Sequence, residues 1–221
     1  MKIIVPLRPR SAAELEMILP QLDKRVDIIE IWLDYVVQER MFAPSLIPHI
    51  QHLLEEAKTE FKVELLGVCK TPAEQGSFPG SSHERVQVLQ QWLQLGGDWV
   101  DVDITQNSTE LIQTLPAEKL WLSFHHFSAV PDNLDKILQQ MQALKPAVYK
   151  FAVTPDVEPD LERFLSFAEG AKDPTIFTTM GELGAAGREQ LKPHTWGAFY
   201  ALSPEYSTAS GQPTIADLPK T

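Results

Sequence analysis

At 221 residues, 43% of them hydrophobic, the chain is long enough to bury one sizeable core. A formal net charge of −11 argues against nucleic acid as a partner, and it means that a small anionic substrate must be met by positive charge concentrated in its site. The single cysteine, Cys69, excludes an internal disulfide framework and fits a reducing, cytoplasmic compartment. No apolar run approaches the length of a membrane span, and the opening Met1-Lys2-Ile3-Ile4-Val5-Pro6 is too short for a signal peptide or anchor, so no membrane partner is expected.

In chain order, residues 3–5 read as a strand closed by Pro6. Ser11, with Glu14 three residues on, can cap a helix running to Leu22. A second strand is expected over 27–35. A helix over 44–58 gathers Leu46, Ile47, Ile50, Leu53 and Leu54 on one side. Residues 63–70 form a third strand, followed by a polar turn over 71–77. Ser81 or Ser82 starts a helix carrying Val86, Leu89, Trp92 and Leu93, which ends at Gly96-Gly97. Strands follow at 99–104, 120–125, 147–153, 175–180 and 196–202. The helices between them are expected at 109–115, from Pro131-Asp132 to 144, at 159–170 and at 182–191. The tail over 203–221 reads as loop with at most a short final helix. Strands alternating with helices mean a parallel sheet, and eight such units in this length predict a (β/α)8 TIM barrel, one domain over residues 1–221. A doubly wound open sheet is the alternative, but no G-x-G-x-x-G follows the first strand.

The strand over 147–153 organises the rest. Period two puts Val148, Lys150 and Ala152 on one face and Tyr149 and Phe151 on the other, where the aromatics can pack under a helix. Applied to the other strands, the same alternation sends Glu30, Asp34, Asp101, Asp103, Ser123, His125 and Lys150 to the interior. A barrel interior is normally filled by branched apolar side chains, and buried charge is costly unless paired. A structural ion-pair network around one lysine is one reading, in which Asp34 and Asp101 are structural. A metal site is another, but the first strand has no H-x-H, His125 and His126 point to opposite faces, and a lysine cation opposes a metal; none is expected. Schiff-base chemistry fits best. Burial favours the neutral amine that attacks a ketone, a neighbouring histidine shuttles protons, and the iminium is the electron sink, so no cofactor is required. Met180-Gly181-Glu182-Leu183-Gly184-Ala185-Ala186-Gly187-Arg188 suits an anion, through backbone N–H groups at a helix start and the guanidinium fork; ordinary helix entry is the alternative. The polar loop 203–213 is either plain surface or a lid.

Six motifs in order then carry a resemblance. Glu30-Ile31-Trp32-Leu33-Asp34 is similar to E-x-R-x-D, and Lys70-Thr71-Pro72-Ala73-Glu74 to R-x-x-x-E. Ser123-Phe124-His125-His126-Phe127 matches S-x-H-x-F, and Val148-Tyr149-Lys150-Phe151-Ala152 matches V-x-K-x-A. Met180 to Arg188 is similar to M-G-x-x-G-x-x-S-R, and Ala209-Ser210-Gly211-Gln212 matches A-x-G-Q. Over nearly its whole length the chain resembles the type I 3-dehydroquinate dehydratases, Schiff-base enzymes of the shikimate pathway. The resemblance implies that Lys150 forms an imine with the C3 ketone of 3-dehydroquinate. His125 would take the C2 proton and help expel the C1 hydroxyl, giving 3-dehydroshikimate. Glu74 would help order His125 or the lid. Arg188 would bind the substrate carboxylate, Gln212 and Thr208 would contact it from the closing loop, and Glu30 would hold a ring hydroxyl. Lys70 and Met180 would complete the substrate-binding set, and a homodimer is expected.

Three departures stand out. Trp32 replaces an arginine and loses its charge; Lys70 replaces another and keeps the charge without the fork; Gly187 replaces a serine. An intact chemical step with altered affinity is expected. Arg8 compensates, or binding is weaker, or the substrate differs. A Schiff-base aldolase on a phosphorylated sugar and a non-catalytic binder of quinate-like acids are the competing functions.

Overall fold

The computed structural model describes residues 1–38, 45–107, 109–209 and 211–219. The helix start expected at Pro44 and the motif residue Ser210 lie outside them. The strands are β1 (Lys2–Leu7), β2 (Ile28–Trp32), β3 (Glu64–Val68), β4 (Trp99–Asp103), β5 (Leu120–His126), β6 (Val148–Val153), β7 (Thr175–Thr179) and β8 (Gly197–Phe199). Between them come α1 (Ala12–Ile18), α2 (Leu33–Gln38), α3 (Ile47–Thr59), α4 (Ser82–Gln94), α5 (Thr109–Ile112), α6 (Leu134–Gln142), α7 (Glu158–Glu169) and α8 (Gly184–Leu191). The strands form one eight-stranded sheet in the order β7-β6-β5-β4-β3-β2-β1-β8, with parallel pairing. This is the (β/α)8 class expected from the alternation of elements.

The described residues fall into two compact units. One holds Ile3–Asp101, Phe199–Thr208 and Thr214–Thr221; the other holds Met1–Lys2, Val102–Ala198 and Ala209–Pro213. The first is the β1–β4 unit and the second the β5–β8 unit, which also takes Val102 and Asp103 from the end of β4.

In the β5–β8 unit, register places Phe124 beside Phe151 and Phe151 beside Phe177. The Phe151 and Phe177 rings stack at 6.0 Å, and Phe164 and Phe167 of α7 meet them edge-on, Phe167 at 5.1 Å from Phe151. Burying each such ring stabilises the fold by roughly 1.5–3 kcal/mol. The layer also fixes which way the strands face. With Phe124, Phe151 and Phe177 under the helix, period two sends Ser123, Lys150 and Ile176 to the opposite face. Register sets Lys150 directly between Ser123 and Ile176, with His125 one residue pair further along β5 on the same face.

The β1–β4 unit pairs Glu30 with Leu66 and Trp32 with Val68. Between them Gly67 has no alternative: a Cβ there would meet the Trp92 ring of α4 at 2.5 Å. Trp92 in turn donates its indole N–H to the Trp99 carbonyl at 3.1 Å. The Ser11 cap accepts from the Glu14 amide at 3.1 Å, and Ser81 and Glu84 close a full capping box on α4.

Several boundaries differ from expectation for local reasons. Pro6 lies within β1 rather than closing it. Ile4 accepts from Tyr200, so by alternation the donor that Pro6 lacks is one that would face the same side at the end of that pairing. The first helix ends at Ile18 and tightens into a 3-10 turn over Leu19–Gln21, which contains Pro20. The second strand stops at Trp32, and Asp34 sits in the first turn of α2 instead of on the strand. There it accepts from the Ser77 amide at 2.9 Å, the Ser77 hydroxyl at 3.1 Å and the Lys70 amide at 3.3 Å. Asp34 thus ties the loop after β3 rather than joining an inward row of charges. The eighth strand keeps three residues of the seven expected over 196–202.

Candidate active site

The chemistry-bearing corner of the β5–β8 unit is built on β4, β5 and β6. Lys150 is 4% exposed at the centre of β6, and Ser123 beside it is also buried. Asp103, the last residue of β4, accepts from His125 twice: from its backbone amide at 3.0 Å and from its ring Nδ1 at 2.8 Å. The other oxygen of Asp103 accepts from the Thr105 amide at 2.7 Å and the Thr105 hydroxyl at 2.6 Å. All four donors favour the carboxylate. Burial works to raise the Asp103 pKa, but the bonds from His125 and Thr105 outweigh it, and the group is held below its ordinary value. A carboxylate facing Nδ1 fixes the proton there and leaves Nε2 as the base of the neutral ring. Phe127 stacks on the His125 ring with centroids 5.9 Å apart. The imidazole therefore has its tilt, tautomer and one face set by named neighbours. Alternation places Asp103 among the inward carboxylates, but its position as the orienting partner of His125 leaves no signal in the sequence. The D-x-D of β4 gives no hint that a histidine 22 residues later will turn its ring toward the second aspartate.

The same unit holds Met180, Arg188 and Gln212. Met180 follows β7 and donates its amide to Val153 at 2.9 Å. Gly181 takes φ +77, a conformation that suits glycine. Arg188 donates to the Thr179 carbonyl at 2.7 Å and to the Gly211 carbonyl, so it latches residue 211 beside the end of β7. Burial lowers its pKa from the ordinary arginine value. Gly187 has a physical reason: a Cβ there would meet the Thr179 hydroxyl at 2.5 Å and Leu161 at 2.9 Å. That hydroxyl donates to the Gly184 carbonyl at 2.9 Å. The space that a serine at 187 would need is taken by Thr179.

The β1–β4 unit holds Glu30, Lys70, Glu74 and Thr208. Glu30 is 2% exposed and accepts from the Trp32 indole N–H at 2.9 Å. Arg8 lies over the Trp32 ring, its guanidinium carbon 3.9 Å from the centroid, and Lys70 Nζ is 4.2 Å from the same centroid. Each cation–π contact of this kind is worth about 0.5–2 kcal/mol. Arg8 also donates to the Thr208 carbonyl at 3.0 Å. Glu74 is the acidic partner of a capping box, accepting from the Thr71 amide at 3.1 Å and hydroxyl at 2.8 Å, and it pairs with buried Arg85. It fixes the turn that follows Lys70. Cys69 is buried here, and burial first, then the nearby Asp34 carboxylate, push its thiol well above the ordinary range; Arg85 pulls the other way and Glu74 adds a smaller push.

Among the described residues no group of three or more His, Cys, Asp or Glu side chains is placed to hold a metal. No helix among them is long and apolar enough to cross a membrane.

Comparison with known proteins gives the family. The chain is similar to a 3-dehydroquinate dehydratase of Streptococcus suis (strain 98HAH33), 30% identical over 196 residues that cover 85% of this chain and 83% of the relative. It is 27% identical over 231 residues to a 3-dehydroquinate dehydratase of Streptococcus mutans serotype c (strain ATCC 700610 / UA159), covering 100% of this chain and 96% of that one. Its fold is similar to the crystal structure of the type I 3-dehydroquinate dehydratase of Clostridium difficile, with a TM-score of 0.81 at 22% identity over 97% of this chain and 88% of that chain. A family model described as type I 3-dehydroquinase matches residues 3–221, and the chain belongs to that family.

Proposed function

We propose that this chain eliminates water from 3-dehydroquinate to give 3-dehydroshikimate through an imine on Lys150, with His125 carrying the protons. The observation that supports it most is the Asp103–His125 pair, whose histidine lies on the strand next to Lys150, in a chain of the type I 3-dehydroquinase family.

The steps balance without a cofactor. Lys150 Nζ adds to the C3 carbonyl, and the carbinolamine loses water to give the iminium. His125 Nε2 takes the C2 proton, and the electron pair moves into the enamine. As the pair returns, the C1–O bond breaks and the protonated His125 delivers its proton to the departing hydroxyl. Water then hydrolyses the conjugated imine, releasing 3-dehydroshikimate and restoring Lys150. The water lost on forming the imine is regained on its hydrolysis, so the net loss is one. Asp103 holds the ring so that Nε2 is the reactive nitrogen and stabilises the imidazolium.

In the same reading Arg188 binds the substrate carboxylate; two of its donors go to carbonyls, and a guanidinium has five. Gln212, Thr208 and Met180 contact the substrate, Glu30 holds a ring hydroxyl, and Lys70 supplies positive charge. Glu74 acts by ordering the turn that follows Lys70. The chain works as one catalytic domain; that each unit is assembled from three separate chain segments supports this. We propose a homodimer in the cytoplasm, which size-exclusion chromatography with light scattering and fractionation test.

The deciding experiment incubates the protein with 3-dehydroquinate, reduces with borohydride and locates the adduct by mass spectrometry. A substrate-derived mass on Lys150, absent from Lys150→Ala, is expected. Turnover with no adduct overturns the imine, and binding without turnover overturns the enzyme reading.

A further inference from the structure

The β1–β4 unit carries a cation that the proposed chemistry leaves without a task. Register pairs Leu7 with Ile31 and Trp32 with Val68, so continued alternation puts Arg8, Trp32 and Lys70 on one face of three adjacent strands. The ring contacts agree, with both cations over the Trp32 ring.

Three observations single out Arg8. It also lies 5.9 Å from the Tyr35 ring, so its plane is held by aromatic faces rather than by carboxylate. Among the described residues no carboxylate pairs with it, in a chain with 30 acidic residues against 19 lysines and arginines. Its Nε–H is buried and has no hydrogen-bond acceptor among the described residues. A buried donor without an acceptor is costly, and with Nη2 on the Thr208 carbonyl the guanidinium keeps its Nη1 donors for an oxygen of a ligand. The motif supplies the context. At position 32 a tryptophan stands where the family pattern has an arginine, and the guanidinium arrives from β1 instead, laid on the indole that displaced it.

We infer that Arg8 is a substrate-binding and specificity-determining residue, and that Trp32 is the platform that aims it. The Arg8 guanidinium takes a carboxylate or hydroxyl oxygen of the polyhydroxylated acid, Trp32 sets its plane, and the indole N–H to Glu30 ties that plane to the neighbouring acceptor. This rests on the substrate reading above, so the test separates the two.

Titrate 3-dehydroquinate calorimetrically into Lys150→Ala, which cannot form the imine, and into the same protein carrying Arg8→Ala. Measure steady-state kinetics of Arg8→Ala alone in parallel. Loss of a charged hydrogen bond predicts roughly a 10- to 100-fold rise in Kd and KM, with kcat changed by less than about threefold. Trp32→Phe keeps the ring and is expected to cost less than Trp32→Ala. Arg8→Ala combined with Trp32→Arg, which returns the guanidinium to β2, is expected to recover most of the affinity. Arg8→Ala within twofold of its parent overturns the inference and leaves the dehydratase reading intact. A loss that Trp32→Arg does not restore also overturns it, and assigns Arg8 to holding Thr208 in place. A Lys150→Ala parent that does not bind 3-dehydroquinate removes the substrate reading and this inference with it. Thermal melts confirm that each variant folds.

Discussion

The His125 corner and the Trp32 corner solve different problems, and their sequences show it. Around His125 every part has one geometry to satisfy. Nδ1 must face a carboxylate, and that carboxylate must be pinned by the Thr105 amide and hydroxyl. Its motifs on β5 and β6 match the family pattern at every fixed letter. Around Trp32 the requirement is looser: positive charge near an acceptor. Charge can reach the same neighbourhood from β1 as well as from β2, and here Arg8 and Lys70 supply it over one ring. In the proposed reaction, proton transfer at His125 tolerates little displacement, whereas recognition of an anion at Trp32 tolerates a change of strand.

The sharpest way to break this contrast is at the proposed nucleophile. Lys150→Ala is expected to lower kcat by at least about 10³-fold and abolish borohydride trapping, because no other amine replaces it on β6. Asp103→Asn comes next. It leaves a ring partner but favours the wrong tautomer, and kcat should fall by roughly 10²–10⁴-fold with KM little changed. A rise in KM alone would place Asp103 in binding and erase the distinction between the corners. Gly187→Ser sharpens it from the side of packing. The new side chain meets Thr179 and Leu161, so stability should drop by about 1–3 kcal/mol in denaturant melts, with partial relief from Thr179→Ala. An undiminished melt would mean that the loop absorbs the extra atoms.

The smallest effect is a pH trend of opposite sign in the two units. The Asp103 pKa is lowered in the folded protein. The unfolded chain then binds more protons, so Asp103 contributes stability above the ordinary carboxylate range that is lost as pH falls through its folded value. Asp34 is the reverse. Burial raises its pKa against the bonds from Ser77 and Lys70, so the folded form holds its proton more tightly and gains stability as pH falls through the raised value. Melting curves between neutral pH and about pH 3 should show Asp103→Asn flattening the acid loss and Asp34→Asn flattening the opposing trend. Parallel shifts in both variants would contradict this assignment of signs.

Much of this was legible in the letters. Alternation alone separates Phe151 from Lys150, and the phenylalanine layer under α7 bears that out. Helix starts at Ser11 and Ser81 follow from capping chemistry that acts within four residues. What could not be read depends on distant partners. Asp34 continues the alternation of β2 in sequence, yet the chain turns into α2 one residue earlier and the carboxylate goes to Ser77, 43 positions away. The Asp103–His125 pair depends on how β4 meets β5. In the letters Arg8 is only a nearby arginine; its placement over Trp32 is a property of register, which single letters do not carry.

Cys69 has a practical consequence. It is the only sulfhydryl in the chain, 3% exposed at the end of β3, and its proton is held tightly by its surroundings. Thiol reagents attack the thiolate, so the folded β1–β4 unit is inert to them and labelling has to wait for an opening event. The rate at which an aromatic disulfide reagent marks this one atom is therefore a stopwatch for how often that unit breathes, read without introducing a single foreign residue.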